Sequence, residues 1–266
     1  MNDYIKLTLK IGLYFFIYMA SLMAFSTIII RDIIILGVDP MKLFGIIAFM
    51  GGIGTLFAIF IFWIMLKNKE KDLINLCNFD AISLKSTLLM IPIAIGFGAF
   101  VMIYSALVYK YDLVPDMEVY MEMAKAMMPT ITGIIAIVII APITEEILFR
   151  GLIFNFLREK ISITSSIIIQ ALLFGIIHLN IFQGLFAFAA GILFGIIYVW
   201  TKSIWSVIIL HALNNFLAVV SMQFYEELKY IDMHIFIAIG VVLFIPSLWL
   251  LYKENITKPE TKRNPF

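Results

Sequence analysis

The chain has 266 residues, 63% of them hydrophobic and 14% charged, with a formal net charge of +1 and a mean hydropathy of +1.04. Soluble domains run near half apolar and a quarter charged, so a water-soluble enzyme is excluded. The near-neutral balance, with no basic patch interleaved with aromatic residues, excludes a nucleic-acid partner and leaves membrane lipids as the surroundings.

Backbone polar groups in hydrocarbon need internal partners, so only helices or closed barrels cross a bilayer. The apolar runs here are about 20 residues long and continuous rather than alternating. The expected fold class is therefore all-α, a polytopic membrane protein with about eight transmembrane helices. The spans fall at about 11–36, 43–66, 84–109, 130–157, 163–180, 182–200, 203–224 and 232–252. The N-terminal stretch has the charge order of a signal sequence. Its apolar run continues to Leu36, however, and no small-residue cleavage site ends it, so it reads as a retained first span. Gly37 to Pro40 and Lys67 to Asp80 are the clearest polar breaks. With no linker, low-complexity tract or internal repeat, residues 1–266 read as a single integral membrane domain whose chemistry-bearing core lies at about 130–220.

Segment 111–129 differs in kind. Met117, Tyr120, Met121, Ala124 and Met128 recur at helical spacing, while Asp116, Glu118, Glu122 and Lys125 lie elsewhere on the wheel. The pattern predicts a short amphipathic helix on the membrane surface, as a packing connection or as a gate over a site.

Counting Lys and Arg in alternate loops orients the chain. With the N-terminus inside, the inner segments carry Lys6, Lys10, Lys67, Lys69, Lys71, Lys85, Arg158, Lys160, Lys202, Lys253, Lys258, Lys262 and Arg263. The outer segments carry Arg31, Lys42, Lys110, Lys125 and Lys229. The 13 against 5, with Arg150 inside a span, account for all 19 basic residues. Both termini are thereby expected in the cytoplasm of a cell in which this is a multi-pass plasma-membrane protein, and the heavy use of Ile, Lys and Asn points to a prokaryote.

Three spans are interrupted by side chains that a bilayer excludes at roughly 3 kcal/mol or more each. Glu145, Glu146 and Arg150 break the run at 134–154, His178 ends the run that begins at Ser166, and His211 and Asn215 share a face of the span at 203–224. Glu146 and Arg150, four apart, meet on a helix and neutralise each other. Glu145 is rotated by about 100° and points to another neighbour. Pro142 removes a backbone hydrogen bond and opens space beside Glu145. Phe174 shares a face with His178. Asn214 reads as a helix brace, and His234 as an ordinary residue at the start of the last span.

A carboxylate, two imidazoles and a carboxamide converging in a wet cavity suit hydrolysis. Glu145 and His178 would activate a water, and His211 and Asn215 would hold the carbonyl oxygen as it gains charge. A zinc version, with both histidines and Glu145 as ligands and Glu146 as base, stays chemically open although the HExxH spacing is absent. No cofactor is required by the residues. Cys77, the single cysteine, has no partner for a disulfide and no ligand spacing. A proton-coupled transporter using Glu145 and His178 as a relay would call for inverted repeats, and none is visible.

These residues resemble the type II CAAX prenyl endopeptidases and their bacterial Abi-type relatives, the CPBP intramembrane proteases. That family's pattern is EExxxR, FxxxH and HxxxN on successive helices. Here EEILFR occupies 145–150, FGIIH 174–178 and HALNN 211–215, in the same order. The resemblance implies an eight-helix fold and hydrolysis of a peptide or lipidated protein substrate within the membrane. It assigns water activation to Glu145 and His178 and the oxyanion site to His211 and Asn215, with Glu146, Arg150 and Phe174 in support. Relatives also include bacteriocin-immunity and scaffold proteins, which keep a non-proteolytic role in play. Placing His178 at a depth matching His211 favours a fifth span that starts near Ile167, after the polar SITSS stretch.

Overall fold

The computed structural model describes residues 2–35, 37–67, 69, 72–114, 116–128, 130–224 and 231–256. Leu36, Lys71, Lys229, Lys258, Lys262 and Arg263, which entered the span and orientation arguments, lie outside the described residues.

Among the described residues every regular element is helical. In chain order these are α1 (Asp3–Ile35), α2 (Phe44–Leu66), α3 (Leu73–Cys77), α4 (Leu84–Tyr111) and α5 (Met117–Met127). They continue with α6 (Ile131–Arg158), α7 (Ile163–Ile176), α8 (Ile181–Thr201), α9 (Ile204–Gln223) and α10 (Met233–Ile256). The starts carry side-chain caps as expected. Asp72, Ser83, Thr130, Ser162, Asn180 and Ser203 each accept a backbone N–H from the first turn of their helix.

Seven helices are long and apolar enough to cross a membrane: α1, α2, α4, α6, α8, α9 and α10. The multi-pass architecture expected from composition is present. Many large apolar side chains face outward, among them Phe16, Ile28, Val242, Ile245 and Trp249, which is tolerable only against lipid. The eighth, α7, has 14 residues and spans about 21 Å, short of a hydrocarbon layer of about 30 Å.

The boundary of α7 corrects the expectation of a start near Ile167. Ser162 caps the helix through a bond from the Ser165 N–H at 3.1 Å, and Ser166 returns its hydroxyl to the Ser162 carbonyl at 2.9 Å. The SITSS stretch is thus the first turn of α7, because serines at these positions satisfy the free ends of the helix rather than form a loop. The helix also stops early, so His178 sits in the turn beyond it and not inside a span.

The core is built around α6. Leu148, Phe149, Leu152, Ile153 and Phe154 are fully buried there, and α1, α3, α7, α8 and α9 pack around them. Two stretches of α6, Ile135–Ile140 and Ile147–Phe154, are π-helical. Such wide turns recur at functional sites and absorb a residue that breaks the α-helical ladder. Pro142 lies just past the first of them.

Close approach requires glycine at two points near the site. A Cβ on Gly54 of α2 would meet the Ser21 carbonyl of α1 at 2.3 Å, and one on Gly191 of α8 would meet Ala171 of α7 at 2.8 Å. Of the segment 111–129, expected as a short amphipathic helix, Met117–Met127 is helical as α5. Met117, Ala124 and Met128 are buried, and Tyr120 packs its ring against Phe182 and Phe186 of α8. Burial pushes the Tyr120 phenol up to about 12, so the hydroxyl stays protonated at physiological pH.

Candidate functional site

Glu146, Arg150 and His211 form a buried triad. Arg150 Nη1 donates to Glu146 Oε1 at 2.9 Å, and His211 Nδ1 lies 2.8 Å from the same oxygen. Both Glu146 and Arg150 are inaccessible to solvent. The guanidinium is held by more than charge. Its Nη2 donates to the Gly191 carbonyl at 3.2 Å, and its plane lies 4.6 Å and 5.2 Å from the ring centres of Phe174 and Phe194. These contacts offset part of the cost of burying the pair, while Glu146 Oε2 and Arg150 Nε have no hydrogen-bond partner among the described residues. Gly191 also takes a bond from Gln170 at 2.8 Å, which fixes the carbonyl.

Glu145 faces a neighbour other than Arg150, as its rotation along the helix predicts. Glu145 Oε2 stands 3.8 Å from His211 Nε2, so the two adjacent carboxylates address the two nitrogens of one imidazole. A 100° rotation along the helix is bridged because the ring presents its nitrogens on opposite sides. Glu146 sits behind the ring and Glu145 in front, on the cavity wall.

His178 enters from the turn between α7 and α8. Its Nδ1 lies 2.7 Å from the Phe174 carbonyl. A carbonyl only accepts, so Nδ1 carries the proton and Nε2 is left for the cavity. The Phe174 ring stands edge-on to both imidazoles, 5.2 Å from His178 and 5.7 Å from His211. It separates them while its own backbone orients one. The next residue, Leu179, has φ of +52°, a strained conformation for leucine that costs on the order of 1–3 kcal/mol. It is held by two bonds from the start of α5. Asn180 Nδ2 donates to the Asp116 carbonyl at 3.0 Å, and the Ile181 N–H donates to the Asp116 carboxylate at 3.2 Å.

Asn215 lines the cavity, but its amide nitrogen donates to the Ile137 carbonyl at 2.8 Å. The reason lies in the π-helical register, where Ala141 N–H bonds to the Ala136 carbonyl five residues back. By the same register Ile137 would be served by residue 142, a proline with no N–H. One Asn215 N–H fills that gap, and one remains.

Asn214 departs from its expected role as a brace. Its side-chain oxygen and nitrogen are both buried without a hydrogen-bond partner among the described residues, and the residue lines the same cavity. Sequence reasoning also missed Tyr18 of α1 and Thr55 of α2, which reach the wall beside Glu145. Tyr18 Oη lies 3.1 Å from Thr144 Oγ1, which in turn bonds Thr55 Oγ1 at 3.1 Å. A tyrosine and a threonine inside apolar runs were the signal available.

The cavity encloses about 720 Å³ between α1, α2, α4, α5, α6, α8 and α9. The apolar face of α5 covers part of it. His234 is exposed at the start of α10, beside Asp232, and takes no part. For a metal, no three His, Cys, Asp or Glu side chains converge among the described residues, and His211 Nδ1 is already committed to Glu146. No step below is routed through a metal.

An all-helical, multi-pass membrane protein with a carboxylate and two oriented imidazoles on the wall of one intramembrane cavity is the class defined by these features. Residues 127–217 match the family model described as type II CAAX prenyl endopeptidase Rce1-like, so this third of the chain is similar to that family. The match contains Glu145, His178, His211 and Asn215. No curated protein and no solved structure matches the chain.

Proposed function

We propose that the chain is an intramembrane endopeptidase that hydrolyses a peptide bond in a membrane-associated or lipidated peptide or protein. The observation that carries this reading is that Glu145, His178 and His211 line one cavity while the Glu146–Arg150 pair locks the third of them from behind. Glu145 takes a proton from a water whose other lone-pair partner is His178 Nε2. The hydroxide adds to the carbonyl carbon, and Glu145 then passes the proton to the departing amine as the C–N bond breaks. Carrying protons on both nitrogens, His211 donates one to Glu146 and the other to the developing oxyanion, joined by the free N–H of Asn215. The chain would sit in the plasma membrane of a prokaryote with both termini in the cytoplasm.

Purified protein in lipid nanodiscs, offered a library of apolar peptides, should cleave a subset of them. Glu145→Ala and His178→Ala should each abolish turnover while keeping the helical content and thermal transition of the parent; full turnover by both variants would end the proposal.

A second reading, a non-proteolytic immunity or scaffold protein, is favoured by one observation. Asn215 has an N–H committed to Ile137, which weakens an oxyanion site. Cellular protection that survives Glu145→Gln would select that reading.

A further inference from the structure

The turn that presents His178 is fixed from outside the matched stretch of chain. In a continuing α-helix the Phe174 carbonyl would accept the His178 N–H. Here that N–H donates instead to the Gly175 carbonyl at 3.3 Å, and the Leu179 N–H donates to the Ile176 carbonyl at 3.1 Å. The Phe174 carbonyl is thereby left for the His178 ring, whose Nδ1 stands 2.7 Å away. The aim of the imidazole therefore depends on α7 ending where it does. That ending holds Leu179 at φ of +52°, a conformation that glycine takes freely and leucine resists.

The strained turn is clasped by Asp116, the residue just before α5. Its carboxylate accepts the Ile181 N–H at 3.2 Å, and its carbonyl accepts from Asn180 Nδ2 at 3.0 Å. Asn180 meanwhile caps α8 with its side-chain oxygen, which accepts the Gln183 N–H at 2.9 Å. Asp116 is held in place because α5 is seated on the start of α8. Met117 is buried in one cluster with Val108 and Phe182, and the Tyr120 ring lies 5.2 Å from that of Phe182. Asp116 precedes the matched residues 127–217. Resting on the endopeptidase reading for what His178 does, we propose that Asp116 is a positioning residue of this site. By locking the turn after α7 to the start of α5, it aims His178 Nε2 into the cavity, so that α5 orients a side chain of the site it partly covers.

The test reads His178 directly. The chain has three histidines, so nitrogen NMR of histidine-labelled protein in lipid nanodiscs resolves His178 once His211→Gln and His234→Gln assign the others. The parent should show His178 as a single tautomer with the proton on Nδ1. Asp116→Ala should keep the helical content of the parent but give a mixed His178 signal. On a peptide that the parent cleaves, its kcat should fall at least tenfold and its KM change less than threefold, because the apolar seat of α5 is untouched. Asp116→Asn, whose carboxamide oxygen accepts the same N–H, should keep the parent's spectrum and kcat. Adding Leu179→Gly to Asp116→Ala should restore most of the lost kcat, since glycine holds the turn without the clasp. An Asp116→Ala protein with the parent's His178 spectrum and kcat, whatever its thermal stability, overturns the proposal and leaves the endopeptidase reading intact. Should Asp116→Ala fail to fold, Asn180→Asp carries the same expectations, because it keeps the cap oxygen of α8 and removes the donor to Asp116. If the parent cleaves no peptide, the endopeptidase reading fails and the His178 spectrum decides. An altered spectrum in the variant then supports the positioning role, and an unchanged one overturns it.

Discussion

The Asn215 carboxamide donates to the Ile137 carbonyl at 2.8 Å, the acceptor that Pro142 cannot serve in a π-helical turn. The pairing ties α9 to α6 about two turns before Glu145, and it makes a testable energetic claim. Asn215→Ala should destabilise the protein by about 1 kcal/mol through the orphaned carbonyl. In a Pro142→Ala background, where residue 142 regains an N–H, the same substitution should cost less. Thermal unfolding of the four proteins in detergent gives the coupling, and additive losses would sink the pairing.

Arg150 and Glu146 are fully buried partners at 2.9 Å. Removing one leaves an uncompensated charge, so Arg150→Met should cost on the order of 3–5 kcal/mol or prevent folding. Replacing both, as Arg150→Met with Glu146→Leu, should be markedly less destabilising than the sum of the single changes. Unfolding transitions of the double and single variants check this. The double variant should also lose cleavage, since His211 would have no carboxylate behind it.

Asn214 buries a carboxamide with no partner among the described residues. An unmet buried amide costs about 1–3 kcal/mol, which an apolar side chain of similar shape does not incur. Asn214→Leu should therefore raise the unfolding temperature and, because the residue lines the cavity, weaken peptide binding. A lowered unfolding temperature would show that the amide is satisfied after all.

Cys77 lies inside the core with its sulfur against Gly151. Burial pushes the thiol well above the ordinary range, so the reactive thiolate is scarce at pH 7–8. Maleimide should label the native protein negligibly over an hour and the denatured protein completely. Gly151→Ala, whose new methyl would run into the Cys77 sulfur, should destabilise by roughly 1–3 kcal/mol, and the combination with Cys77→Ala should recover part of that loss.

Much of the architecture was legible because it follows from partition between water and lipid. Runs of about 20 apolar residues have one stable form in hydrocarbon, and a capping serine or asparagine marks the start of α4, α8 and α9. Short α7 was the exception. A run of 14 helical residues followed by Ile177 and Leu179 reads as a longer apolar span, and nothing local reveals that the helix ends before His178. The orientation of the termini rests on charges of which several fall outside the described residues, and it remains a proposal.

The sequence by itself determined that the chain is helical and membrane-spanning, and that Glu145, Glu146, Arg150, His211 and Asn215 interrupt its spans, with His178 as a further candidate polar group. Composition and periodicity suffice for that, since they set which surfaces lipid accepts. Only the tertiary structure decided which atoms meet. The wide turns of α6 shift every later side chain off the ordinary helical wheel. Packing of α9 against that altered face then brought both glutamates to one imidazole and Asn215 to the Ile137 carbonyl. Those pairings depend on the rotation of one helix against another, a quantity that no spacing along a single chain encodes.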